Sequence, residues 1–392
     1  MDCKSIVTKN SFNLNNNIYK KHVKLENGAI YININDTEFN NSMISKIIKC
    51  INHAHKKYSF SRLPIYFVFQ EAKLEDKLSY TIFECICKSL IENYGHKLNF
   101  CYNFEHNIIT KGILSSPLLL LSCNDKKTNQ KNQKFLEKFN FDIYRNHYRK
   151  VLKYDEYNSE KLSEIYDDVF NFQKSFNINY ECIDKIAEVV VELICNAIEH
   201  SCSDCLLDID LAPNYINNKT GERCCGINIT VLNISDKLLG DGIKEKINNY
   251  NYMEDKSKQR YPKVKEAYDF HKKCFSEEYD EVDFYNISAF QHKISGRKDN
   301  YSTGGTGLTL LIKSIEERAD SHTCYVITGD RIIALLPEYL TYDENNWLGF
   351  NDFNDYFKHI PSQEIINRSN FFFPGTAYNL NFVMKVNNDE QN

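Results

Sequence analysis

The sequence predicts an α/β protein in two parts, a small α/β domain over residues 1–125 and a larger one over residues 151–386. Three observations lead there. Strand-like and helix-like stretches alternate through the first 125 residues, as in a small α/β unit. The run Asn124–Gln133, NDKKTNQKNQ, is almost free of apolar residues, so residues 126–150 read as a linker. Beyond it, one long amphipathic helix is followed by two strictly alternating strands.

Residues 1–24 are polar and read as a loose arm with a short strand. Ala29–Ile34 alternates as a strand. Asn41–Lys56 places Met43, Ile44, Ile47, Ile48 and Ile51 at helical spacing. Pro64–Phe69 and Leu98–Tyr102 read as strands, Tyr80–Tyr94 as a second helix and Ile109–Leu121 as a short third one. Phe135–Lys153 is aromatic and basic, a connecting strand or helix. Ser159–Phe176 is a helix carried by Leu162, Ile165, Val169 and Phe172. Leu206–Leu211 and Ile227–Asn233 read as neighbouring antiparallel strands with one polar face. Residues 244–300 are long, charged and aromatic, with periodicity only near Val264–Phe275. Gly307–Arg318 is a helix. Thr323–Thr328 and Arg331–Leu336 form a hairpin around Gly329-Asp330. Residues 338–370 read as an insertion around Trp347, either a flap or a contact surface, before the strand Tyr378–Val383.

Composition narrows the function classes. The 392 residues are 42% apolar and carry a net charge of −5, which gives no reason to expect nucleic acid or a membrane surface. The rings and bases of Phe135–Lys153 do not change that, because aromatic residues are dense throughout. The chain opens without an apolar core, and its longest apolar run, Ile113–Leu121, is broken by Ser115, Ser116 and Pro117. Fourteen scattered cysteines form no disulfide framework, so a reduced cytoplasmic location is expected. Cys202, Cys205, Cys224 and Cys225 would approach a zinc-type cluster if the two flanking strands paired that way. Packing at strand ends is the competing reading.

The helix Ile183–Ser201, IDKIAEVVVELICNAIEHS, carries the functional signal. Ile186, Val189, Val190, Leu193, Ile194 and Ala197 form its apolar stripe. Glu192 and Asn196 are four apart and project from one side. A carboxylate that polarises water, one turn from an amide oxygen that ligates Mg²⁺, accounts for the pair; a solvated helix edge is the plainer account. Downstream, Thr303–Leu311, TGGTGLTLL, is a glycine-rich loop running into an apolar helix, a setting that suits phosphate. Phe373-Pro374-Gly375-Thr376 then leads into a strand.

These pieces, in this order, resemble the ATP-binding domain shared by gyrase-type topoisomerases, heat-shock chaperones, histidine kinases and MutL, the GHKL superfamily. ELICNAIEHS is similar to its N box, GGTGL to its second glycine box and PGT to its third. NAIEHS is nearest in wording to histidine kinases and anti-sigma-factor kinases. The resemblance spans roughly residues 150–386 and implies a two-layer α/β sandwich with a mixed sheet. It implies ATP and Mg²⁺ as cofactors, with Asn196 on the metal, Glu192 as general base and His200 near the phosphates. It places Gly304, Gly305, Thr306, Gly307 and Leu308 at the phosphates and Thr376 in the third box. For the first glycine box it implies Gly240 and Gly242. The acid that receives the adenine amino group is displaced: Asp236 lies four before Gly240, not two, and Asn233 holds the strand end. Residues 244–300 would be the ATP lid, and Lys293, Arg297 and Lys298 either meet the γ-phosphate or are plain surface charge. The first domain is loosely similar to STAS domains, with Asp76-Lys77-Leu78-Ser79 the nearest match to their phosphoacceptor.

Three functions follow from the resemblance: an ATPase whose nucleotide drives a conformational or dimerisation switch, a serine/threonine kinase or anti-sigma-type regulator, and a non-hydrolysing nucleotide-dependent interaction module. Glu192 speaks against the last. A homodimer, formed with ATP, and a protein partner on the N-terminal domain are the expected partners.

Overall fold

The computed structural model describes residues 1–10, 19–58, 62–69, 73–74, 76–102, 116–122, 128–217, 220–249, 260–292, 294, 307–319 and 324–386. The first part contains α1 (Lys4–Thr8), β1 (Val23–Glu26), β2 (Ala29–Ile34), β3 (Glu38–Phe39), α2 (Asn41–Lys57), β4 (Ile65–Phe69), β5 (Lys73–Leu74), α3 (Lys77–Glu92), β6 (Leu98–Tyr102) and α4 (Thr128–Asn140). Side-chain caps start the two main helices. Asn40 Oδ1 accepts from the Ser42 and Met43 amides at α2, and Asp76 accepts from the Ser79 amide at α3. Strands order β1-β2-β4-β6; β1 is antiparallel to β2 and the rest are parallel, so this sheet is mixed.

Three expectations for this part change. The N-terminal arm is not loose where it is described: Cys3, Ile6 and Val7 of α1 are buried in the first core. The Asp76–Ser79 stretch is a helix cap, not an acceptor site. Ser79 is buried and its hydroxyl donates to Asp76 at 2.9 Å. The expected linker is structured wherever it is described, because α4 buries Phe135 and Phe139.

The second part runs β7 (Phe141–Tyr144), β8 (His147–Leu152), α5 (Ser159–Lys174), α6 (Tyr180–Ser201), β9 (Cys205–Ile216), β10 (Arg223–Ile234), α7 (Asp241–Asn249), α8 (Arg260–His271), α9 (Glu281–Ser288), α10 (Gly307–Arg318), β11 (Tyr325–Ala334) and β12 (Ile366–Lys385). Its six strands order β11-β12-β10-β9-β8-β7 and every pairing is antiparallel, so the mixed sheet expected here is corrected. The expected hairpin at Gly329-Asp330 is also absent. Both halves of β11 pair with β12, so the chain bends at Gly329 without reversing.

The sheet is covered on both faces. Leu207, Ile209, Leu211 and Val231 pack under α5, α6 and α10. Their alternates Leu206 and Leu232, with Phe373 and Ala377, join the core of the first part under α1–α3. The second part by itself is a sheet with helices on one face, two layers as expected; with the first part on the other face the whole chain stacks sheet-helix-sheet-helix. The polar face read from β9 therefore lies inside the molecule. Asp208 and Asp210 are fully buried and pair with Lys77 of α3, while Arg149 of β8 joins Asp208 to Glu84. Burial works to raise the Asp208 carboxyl, but Arg149 and Lys77 outweigh it and hold it well below the usual range.

Residues 260–292 and the insertion form one apolar unit. Phe284, Phe290, Trp347, Phe350 and Tyr356 are buried together, with Trp347 stacked on Tyr356 at 5.3 Å. His271 of α8 is inside it, bonded to the Tyr279 hydroxyl at 2.7 Å and the Tyr356 carbonyl at 2.9 Å. The described part of the lid region is thus helical and packed, not irregular.

Candidate functional site

The helix read as the functional signal is α6. Asn179 caps its start, and it ends at Cys202 in the left-handed region, φ 51°. Asp184 accepts a hydrogen bond from Tyr166 of α5, and Glu199 accepts one from Tyr157 just before α5. Glu181 and Lys185 lie within electrostatic range of Arg318 at the end of α10. Glu181, Glu192 and Glu199 share the polar side of the helix, and Asn196 is one turn from Glu192; Glu192 and Asn196 are both half-buried.

α10 packs against α6, with Arg318 of its last turn in electrostatic range of Glu181 and Lys185 near the start of α6. Leu311, Ile312 and Ile315 seal the contact in the same core as Ile186 and Val190. Gly307 opens α10 and Leu308 is half-buried beside it. Gly304, Gly305 and Thr306 lie outside the described residues, as do Lys293, Arg297 and Lys298. His200 is half-buried in the last turn of α6.

A polar row crosses the end of the sheet just beyond α6. Cys205, Asn233, Thr376 and Thr328 are successive cross-strand partners on β9, β10, β12 and β11, all on the face that α6 covers. Asn233 is buried, and its Nδ2 lies 3.5 Å from Ser203 Oγ and 3.3 Å from Ser235 Oγ. The Thr328 and Thr376 hydroxyls are 3.3 Å apart, and Thr328 also accepts from the Leu239 amide at 3.1 Å.

Two glycines are fixed by close approach here. Gly375 has φ +112°, and a Cβ on it would lie 2.3 Å from the Asn233 carbonyl oxygen. A Cβ on Gly240 would lie 2.7 Å from Tyr285 Cβ on α9 and 2.8 Å from its backbone. Gly242 sits half-buried in the first turn of α7. Asp236 goes elsewhere: it is exposed, and its carboxylate meets Lys9 at 2.5 Å. Of the two strand-end candidates, only Asn233 is in the row.

The zinc reading is corrected. Antiparallel pairing puts Cys205 opposite Asn233 and Cys224 opposite Tyr215, at the two ends of the β9–β10 ladder. Among the described residues no group of three or more His, Cys, Asp or Glu side chains is placed to hold a metal. A Mg²⁺ held through Asn196 would draw its other ligands from phosphate and water.

Sequence reasoning missed Ser203, Ser235 and Thr328. Nothing in their spacing sets them apart; only strand register brings them to Asn233 and Thr376. No helix among the described residues is long and apolar enough to cross a membrane. No family model, no curated protein and no solved structure matches the chain.

Proposed function

We propose that residues 151–386 bind ATP with Mg²⁺ and that binding and hydrolysis drive a conformational or dimerisation switch. The observation that carries this reading is the strand-end row: Asn233 and Thr376 pair on β10 and β12 beside Cys205, which begins β9 just past the end of α6, while α10 packs on α6. Stretches from α6, β10 and β12 thereby border one region.

Each residue has a role in this reading. Asn233 turns its Nδ2 to two hydroxyls, which leaves Oδ1 to accept from an adenine amino group. Thr376 adds a hydroxyl beside it. Asn196 offers its amide oxygen to the metal, and the start of α10 offers amide N–H groups to phosphate. Bound Mg²⁺ supplies charge neutralisation for phosphoryl transfer. Glu192, on the same flank as Asn196, takes the proton of the attacking water.

Calorimetry with ATP and Mg²⁺ tests the reading. Heat of binding in the wild type, with Mg²⁺-dependence lost in Asn196→Ala, is the expected result. A folded protein that gives no heat ends it.

A further inference from the structure

We propose that Asn10 is a positioning residue that holds the strand-end row Asn233–Thr376 in place from the opposite side of the sheet; the nucleotide role of that row rests on the reading above.

The argument starts from a break in the β11–β12 ladder. Thr328 pairs with Thr376 and Arg331 with Arg368, so three steps along β11 face eight along β12. The surplus lies in β12 between Arg368 and Thr376. On its other side β12 also runs out of partners. The β10 ladder ends at Ile234 opposite Gly375, with one further bond from the Ser235 amide to the Pro374 carbonyl at 3.2 Å. Residues 369–372 therefore carry backbone groups that neither neighbouring strand satisfies in regular register.

Side chains of the N-terminal part take those groups over. The Asn370 amide donates to Asn41 Oδ1 at 3.1 Å, and Ser45 Oγ donates to the Asn370 carbonyl at 2.6 Å. Asn10 does more. Its Oδ1 accepts from the Phe372 amide at 2.7 Å, and its Nδ2 donates to the Phe372 carbonyl at 2.8 Å. One carboxamide thus imitates a strand neighbour by pairing with both backbone groups of a single residue. The same Nδ2 donates to the Ile6 carbonyl at 2.8 Å, which ties the clamp to α1. Next to it, Lys9 holds Asp236, three residues past Asn233.

Residues 9 and 10 accordingly grip both chains that leave the row: β10 through Asp236, and β12 through Phe372, four residues before Thr376. Gly375 lies between Phe372 and Thr376 and is in contact with the Asn233 carbonyl, so a shift at Phe372 reaches Asn233 through backbone alone. Bulges of this kind re-aim the residues that follow them. Asn10 has this effect without touching the row.

Amide hydrogen exchange of the full-length chain, with and without the non-hydrolysable ATP analogue AMP-PNP and Mg²⁺, tests the proposal. Asn10→Ala should raise exchange at residues 375–377 and 234–236 about tenfold while α6 keeps its protection. Asn10→Asp keeps the acceptor for the Phe372 amide and loses the donor, so it should lie between wild type and alanine. Asn41→Ala provides a milder lesion should Asn10→Ala fail to fold. Unchanged exchange in both segments overturns the proposal, as does a rise spread evenly over α6, which would report general loss of stability. The variant should also bind AMP-PNP about tenfold more weakly than wild type. A wild type that binds no nucleotide removes the functional reading, while the exchange result still decides whether Asn10 positions the row.

Discussion

Arg149 on β8 stands directly opposite Asp208 on β9, and its guanidinium links that carboxylate to Glu84 on α3. All three side chains are buried, and Lys77 closes the group through Asp208 and Asp210. The first and second parts of the chain are therefore joined by charges that have no access to water.

Removing one partner from such a group leaves an uncompensated charge. Asp208→Ala should cost about 3–5 kcal/mol of stability. Urea unfolding followed by circular dichroism measures it. A loss below about 1 kcal/mol would show that the group is wetter than its burial implies.

Acid should weaken the N-terminal part through His55. Its Nε2 lies 3.0 Å from His96 Nε2, and burial, then His96, pushes its pKa down from 6.5 to about 4. The unfolded chain thus binds the proton more readily than the folded one. This contribution is fully present above pH 6.5 and is lost as pH falls from 6.5 toward 4. His55→Phe should flatten that limb of a stability–pH profile. An unchanged slope would assign the limb to other groups.

Gly375→Ala should destabilise more than Gly28→Ala. Both glycines have positive φ, which costs about 1–3 kcal/mol for another residue. Only at Gly375 does a Cβ also meet backbone, at 2.3 Å, whereas nothing lies within 4 Å at Gly28. Paired thermal melts give the comparison, and equal shifts would refute the close contact with Asn233.

Glu192→Gln should bind nucleotide as wild type does and lose turnover by about 10²–10⁴-fold, the usual contribution of a general base. Phosphate release and calorimetry on the same preparation separate the two effects. An earlier-eluting, nucleotide-dependent peak in size exclusion would mark a trapped dimer. Wild-type turnover in this variant would exclude Glu192 as the base.

Local periodicity made much of the secondary structure legible. Ala29–Ile34 and Leu98–Tyr102 match β2 and β6, and Asn41–Lys56 differs from α2 by one residue. The second cover on the sheet was not legible. Asp208 and Asp210 alternate with leucine and isoleucine as residues on a wet face do, and their partners Lys77 and Arg149 are distant in sequence. The same limit applies at the candidate site. Glu192 and Asn196 share a flank by helical arithmetic, but the row from Cys205 to Thr328 exists only through strand register. The clamp at Phe372 had no signal either, since a lone Asn10 in an Asn-rich stretch looks like its neighbours.

The position of β12 has a consequence for synthesis. It is an inner strand, between β11 and β10, and it is made after every strand it joins. A ribosome adding about 5–20 residues per second needs roughly 8–30 s to pass from the end of β10 to the end of β12. During that interval one long edge of β10 has no strand to pair with. β11 waits with no sheet to enter. The newborn chain is most prone to stray strand pairing in that window, and a stop codon just before residue 366 would make the condition permanent.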